Sequence, residues 1–333
     1  MIYLLNTTAT RLLIGWLIFF FTIEEPFFAK AEAPVCEYDL QPTAVDSTAV
    51  GYKAVISCKG KFLAVGTGGR IDYINTSGDK NPVIAATRNN LNCIIGTGNI
   101  LVAAGDNGTI LISSEGQLFT KKDSGTDKNI NGIAFKDDVF IAGADHGTIL
   151  ISKKGQSWSS RHLEVNGNIL SVAANDSYFI GITDKGEIIR SNDGLNWEIT
   201  DFNKVYSGYY NPCKFRKVII GRSLISIIGK HDDGSPAVLF STLGKVWSER
   251  ALNYYDEQGT IRFLKNNLND ITYDATRDQF FVACDRGEIF SLPSCSKCSK
   301  SVIVSDCNFH SVIFKDNYLA AVGDGFSVTI LKL

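Results

Sequence analysis

Short apolar runs rich in Ile, Val and Phe alternate along this chain with turns built on Gly and Asp. Residues 129–135 (NINGIAF) and 139–142 flank an Asp-containing turn. Residues 148–152 (TILIS) follow an Asp-His-Gly turn, and a weaker run, 161–165, closes the unit. Runs of this length between such turns are the pattern of strands joined as hairpins. Beyond the first 31 residues no stretch sustains a 3.6-residue apolar period, so the pattern predicts an all-β chain.

The pattern also repeats. Gly69, Gly108, Gly147, Gly186, Gly234, Gly287 and Gly325 each sit in a turn between two apolar runs, with steps of 39, 39, 39, 48, 53 and 38 residues. Four short strands in each unit of about 40 residues predict a seven-bladed β-propeller with four-stranded blades. Residues 32–333 then form one domain. The last unit stops after its third strand, residues 327–333. The segment 35–50 is expected to supply the missing outer strand and so close the ring.

A second marker accompanies the first. Phe119, Trp158, Trp197 and Trp247 each follow a Ser by six residues and a Gly by three. In its fullest copy the string is Ser191-Asn192-Asp193-Gly194-Leu195-Asn196-Trp197. Ser and Asp side chains in such a turn cap backbone N–H groups, and the aromatic packs between blades. Ser191, Asp193, Gly194, Trp158, Trp197 and Trp247 are therefore expected to be structural. The string resembles a shortened Asp-box of the BNR-repeat propellers. Combined with the Val-Gly-x-x-Gly-x-Ile anchor, it resembles the photosystem II assembly-factor-like propellers of that group. The resemblance implies seven blades, an exported location and action by binding other proteins.

Composition adds compartment and exclusions. Residues 12–23 (LLIGWLIFFFTI) are apolar and follow Arg11, but are shorter than the roughly 20 residues that span a bilayer. Ala29, Lys30 and Ala31 then offer a cleavage pattern, so residues 1–31 read as a signal peptide and the mature chain as secreted or periplasmic. Glu24 and Glu25 lengthen the stretch before the cut, and an uncleaved membrane anchor is the alternative. All eight cysteines (Cys36, Cys58, Cys93, Cys213, Cys284, Cys295, Cys298 and Cys307) lie in the exported part and are disulfide candidates. A net charge of −2 supplies no field for nucleic acid.

Asp106, Asp145, Asp184, Asp232, Asp233, Asp285 and Asp324 sit in the turns before the third strands. They could ring one face for a cation, yet Asp before Gly is ordinary turn chemistry. His146 and His231 share these turns, and neither a metal nor a cofactor is expected. The two long steps carry insertions, 201–217 and 253–267. These are expected to bring Tyr206, Tyr209, Tyr210, Tyr254 and Tyr255 together, with Arg216 and Arg262 nearby, as a partner-binding patch. The predicted inner strands, at 54–56, 94–95, 133–135, 172–174 and 271–273, contain no arginine to hold a substrate carboxylate. The expectation is a monomeric, non-catalytic scaffold or assembly factor that binds protein. The alternative is a carbohydrate-binding or sialidase-like propeller acting on a glycan.

Overall fold

A computed structural model of the chain describes residues 50–98, 100–255, 260–293 and 300–333. Its blades are antiparallel meanders in chain order, each with its first strand innermost, and the short strand Ile84–Ala85 adds in parallel to the outer strand Leu118–Lys122 of blade 2. Blade 1 runs through Tyr52–Cys58, Lys61–Gly66, Ile71–Ile74 and Lys80–Pro82. Blade 3 runs through Ile130–Lys136, Val139–Ala144, Thr148–Lys153 and Ser159–His162. The first strands of the other blades are Leu91–Gly96, Ile169–Ala174, Cys213–Ile220, Leu268–Asp274 and Phe309–Lys315. Each of these seven first strands touches the next, and the seventh touches the first, so they enclose a central channel. The result is a seven-bladed β-propeller.

Burial explains why the blades stand where they do. Middle strands are covered on both faces by neighbouring blades, so they read as unbroken apolar runs: Leu101–Gly105 and Thr109–Ser113 are buried throughout. Outer strands face water, as Ser159–His162 does along its whole length. One apolar wedge fills each gap between neighbouring blades, seven in all. Each fully buried Ile, Leu, Val or Phe contributes about 1.5–3 kcal/mol, so the wedges are the main cohesive term. The wedge between blades 7 and 1 joins Ala320 and Val322 to Tyr52, Val55 and Phe62. There Tyr52 meets Phe326 edge-on at 5.1 Å and donates its hydroxyl to Asp72.

The anchor glycines sit between second and third strands, as expected. Gly108 shows the constraint: its φ is +62°, and a Cβ there would lie 1.9 Å from the Thr126 carbonyl oxygen. Two expected positions shift. The outer strand of blade 3 is Ser159–His162 rather than 161–165. Leu163 and Val165 instead bury themselves in the wedge toward blade 4, where packing outweighs strand pairing. The second insertion, moreover, forms its own hairpin, Asn253–Tyr255 with Ile261–Phe263.

Blade 7 contains three described strands and ends at the edge strand Val328–Lys332. The segment 35–49, expected to pair with that edge, lies outside the described residues. The chain enters from this blade: the Val50 carbonyl accepts from Gly325 N at 2.7 Å, and Gly51 bridges Asp324. Deleting residues 32–48 is expected to lower the melting temperature of the whole domain by several degrees. A truncated protein melting at the same temperature as residues 32–333 would contradict the strand assignment.

Candidate functional site

The face that carries the second-to-third-strand turns holds a repeated polar clamp. In every blade the first turn residue donates its backbone N–H to the carbonyl just ahead of the inner strand. The pairs are Thr67 to Gly51, Asp106 to Asn90, Asp145 to Asn129, Asp184 to Asn168, Asp232 to Pro212, Asp285 to Asn267 and Asp324 to Asn308, at 2.9–3.2 Å. The carboxylates are then clasped by side-chain amides. Asp106 accepts from Asn90 and Asn92, both at 2.8 Å. Asp145 accepts from Asn129 at 3.0 Å and Asn131 at 2.9 Å. Asp285 accepts from Asn267 and Asn269, and Asp324 from Asn308, with the His310 imidazole on its other oxygen.

These amides also cross between blades. The Oδ1 atoms of Asn90, Asn129, Asn168 and Asn308 accept from the turn N–H groups of Gly68, Asn107, His146 and Arg286 in the preceding blade, at 2.9–3.0 Å. Asn92, Asn131 and Asn269 donate onward to the carbonyls of Ile130, Ile169 and Phe309 in the following blade. The turn aspartates are thus acceptors in a structural belt. Sequence reasoning missed the Asn partners, although an Asn-x-Asn pair recurs at 90/92, 129/131 and 267/269.

Each inner strand bulges at one residue, placing Lys53, Asn92, Asn131, Leu170, Arg216, Asn269 and His310 at equivalent positions around the channel mouth. Arg216 was expected in an insertion; it belongs instead to the inner strand Cys213–Ile220. The sequence CKFRKVII hides this because the bulge breaks its alternation. Arg216 Nε donates to the Asn269 carbonyl at 3.0 Å. Deeper in the channel wall, Lys217 lies 3.3 Å from Asp270, whose carboxylate also accepts from Ser311 and from Val312 N.

The tyrosines occupy two separate places. Phe202–Val205 forms one helical turn, capped by Asp201, and Phe202 enters the wedge between blades 4 and 5. Tyr206 stacks on Phe202 at 4.7 Å and Tyr210 at 6.1 Å, while the Tyr206 hydroxyl accepts from Trp247 N. Tyr209 is 83% exposed. Tyr254 packs edge-on against Phe290 of blade 6, in the wedge between blades 5 and 6. Its hairpin partner across the register is Arg262. The side chain of Tyr255 lies outside the described residues.

In three of the four Ser-x-x-Gly turns the serine caps the turn as expected. Gly116, Gly194 and Gly244 donate N–H to Ser113, Ser191 and Ser241, each at 2.8 Å. The Ser152 hydroxyl of the degenerate copy has no partner. Asp193 accepts from Leu195 N and Asn196 N at 2.8 Å, which holds its carboxyl well below the usual range. Trp158 and Trp197 donate to the carbonyls of Gly155 and Gly194. Trp247 is buried in the wedge between blades 4 and 5.

The cysteines depart from expectation. Cys58, Cys93, Cys213 and Cys284 are free thiols. They pack in four different interblade wedges, so no two of their sulfurs can meet. Cys307 is not among the free thiols, and Cys36, Cys295 and Cys298 lie outside the described residues. One free thiol has suggestive company. Cys213 Sγ lies 3.2 Å from His231 Nδ1, and His231 Nε2 lies 2.7 Å from Glu249. A nucleophile, a base and an orienting carboxylate share this order in cysteine hydrolases. Here the sulfur is buried, and burial pushes its pKa up to about 12, the opposite of activation. The Cys213 side chain packs in the wedge between blades 4 and 5.

Among the described residues no His, Cys, Asp or Glu cluster could hold a metal ion, and no helix is long and apolar enough to cross a membrane. No protein-family model matches the chain, and no curated protein matches it. Among solved structures it is similar to the crystal structure of Ika8, a computationally designed protein, with a TM-score of 0.60 and 11% identity over 87% of this chain and 98% of that one. That likeness is one of fold alone.

Burial also pushes the Cys93 thiol up to about 12, against the pull of the Lys217 cation across the channel. Unfolded thiols ionise near pH 9, so between about pH 9 and 12 the unfolded chain releases protons that the folded chain retains. Stability is expected to fall over that window by about 1.4 kcal/mol per pH unit for each such thiol. Denaturant titrations of wild type and Cys93→Ala at pH 8 and pH 10.5 check this. An equal pH dependence in both proteins would contradict it.

Proposed function

We propose that this chain is an exported, non-catalytic propeller of the BNR/Asp-box type that binds a protein partner through the insertions flanking blade 5. The observation that carries this reading is the exposure of large side chains on those insertions. Tyr209 is 83%, Phe263 64% and Val205 59% exposed, although each sits on a segment otherwise pinned to the scaffold. Phe202, Tyr206, Tyr210 and Tyr254 do the pinning. A rigid base presenting exposed aromatic tips is how binding loops are commonly built. Antiparallel order puts both insertions at the same ends of the blades as the turn belt. The first also touches it, since Asn203 donates to the Lys185 carbonyl.

The Ser-Asp-Gly-Trp geometry of blade 4 supports the Asp-box assignment, and the likeness to photosystem II assembly-factor-like propellers supports an assembly role. A leader at residues 1–31 and an envelope or extracellular location belong to the same reading. The sealed Cys213 supports its non-catalytic part.

The double variant Tyr209→Ala/Phe263→Ala is expected to keep wild-type stability to within about 0.5 kcal/mol. It should lose the partner that wild type retains in affinity capture from native envelope. Retention of that partner at the wild-type level would contradict the proposal.

A further inference from the structure

We propose that the cavity beside the Ser191–Trp197 turn of blade 4 binds a single neutral sugar ring, held by Arg190. That turn joins the third strand, Glu187–Ser191, to the outer strand, Glu198–Asp201. Hairpin order puts it at the blade end opposite the turn belt, so the site is separate from the proposed partner face.

One position of the repeat is out of keeping there. The residue ahead of the capping Ser is Ile112, Ile151 and Phe240 in blades 2, 3 and 5, and each packs in an interblade wedge. In blade 4 it is Arg190, paired across the register with Glu198. The other three blades carry Thr120, Ser159 and Ser248 opposite. Arg190 and Glu198 would cancel as an ion pair, yet they form none. The guanidinium lies instead over the Tyr178 ring, 4.3 Å from its centroid. Its Nε–H is buried without a partner, and among the described residues no acceptor meets its other nitrogens. A buried donor left unpaired costs stability that an Ile would not. Blades 2 and 3 show that the fold does not need an arginine at this position.

What the arginine supplies is a donor on a cavity of about 210 Å³, whose wall is shared by Asn192, Asp193, Asn196, Trp197 and Glu198. That volume lies below the roughly 300 Å³ at which drug-sized sites begin, so it suits one ring rather than a chain. The wall then selects the ligand. An anion would meet the carboxylates of Asp193 and Glu198, and a cation would meet Arg190. Asp193 is moreover already engaged, accepting from Ser191, Leu195 N and Asn196. A hydroxyl both accepts and donates, so it pairs with Arg190 and with Glu198 alike. A sugar ring holds several hydroxyls at fixed spacing and adds C–H faces for an aromatic neighbour such as Trp197.

The test follows the indole N–H signals of Trp158, Trp197 and Trp247 by NMR in residues 32–333. Methyl glycosides of glucose, galactose, mannose and N-acetylglucosamine are added one at a time. Trp158 is the internal reference, since it donates to Gly155 as Trp197 does to Gly194. At least one glycoside is expected to shift Trp197 saturably and leave Trp158 unmoved. Arg190→Met should weaken that response at least about tenfold and melt no lower than wild type. Arg88→Gln, a change at an exposed arginine of another blade, should leave it unaltered. If Arg190→Met melts lower or fails to fold, Glu198→Ala, on the exposed outer strand, decides in its place by the same tenfold loss. No saturable Trp197 shift with any of the four glycosides would overturn the proposal. So would wild-type affinity in the deciding variant, or an equal response to acetate or inorganic phosphate.

Discussion

A carboxylate held between two amides is the contact on which this propeller turns. Asp145 accepts from Asn129 and Asn131, and those same amides reach back to the previous turn through Asn129 and forward to Ile169 through Asn131. A blade is thereby registered against both neighbours at its inner, narrow end. Hydrogen bonds to an ionised acceptor are stronger than neutral ones, and an orphaned partner costs more than a bond gains. The apolar wedges supply most of the cohesion, but a greasy interface tolerates sliding. The belt specifies where sliding stops in the blades that carry it, and the backbone pair from turn to inner strand repeats in all seven.

Rigidity at the inner end leaves freedom at the outer one. Outer strands vary from five residues, Leu118–Lys122, to two, Ser248–Glu249. The long insertions follow the outer strands of blades 4 and 5, and the first reaches the turn belt where Asn203 donates to the Lys185 carbonyl. Blade 5 departs most from the repeat. It lacks the Asn ahead of its inner strand, carries Arg216 at the bulge, and seals Cys213, His231 and Glu249 into its wedge. Divergence from a repeat that the fold does not require is a reason to look there for function.

Much of this was legible in the chain because the repeat is strict where packing is strict. The glycine at Gly108 is forced by its backbone and by the Thr126 carbonyl, so it recurs on schedule and reveals the blades. The Ser and Gly of the turns that precede Phe119, Trp197 and Trp247 are visible for the same reason. Other features were hidden by physical causes. Asn90 and Asn129 look like turn residues, since their role depends on a turn in another blade. Arg216 looks like loop because a bulge scrambles the inside–outside alternation around it. The thiols misled because the expectation of an exported chain argues for pairing, while geometry sends Cys58, Cys93, Cys213 and Cys284 into separate wedges. The tyrosines were placed on the right segments, but sequence could not tell Tyr206 and Tyr210, which pin their insertion down, from Tyr209, which stands clear.

The registration of neighbouring blades rests on the belt of turn aspartates and inner-strand amides. A double-mutant cycle between Asn131 and Asp145, using Ala at each and urea unfolding at neutral pH, measures the 2.9 Å contact directly. The predicted coupling is about 1–3 kcal/mol favourable, with cooperative unfolding retained in all four proteins. A coupling of zero, with the two substitutions simply additive, would contradict it.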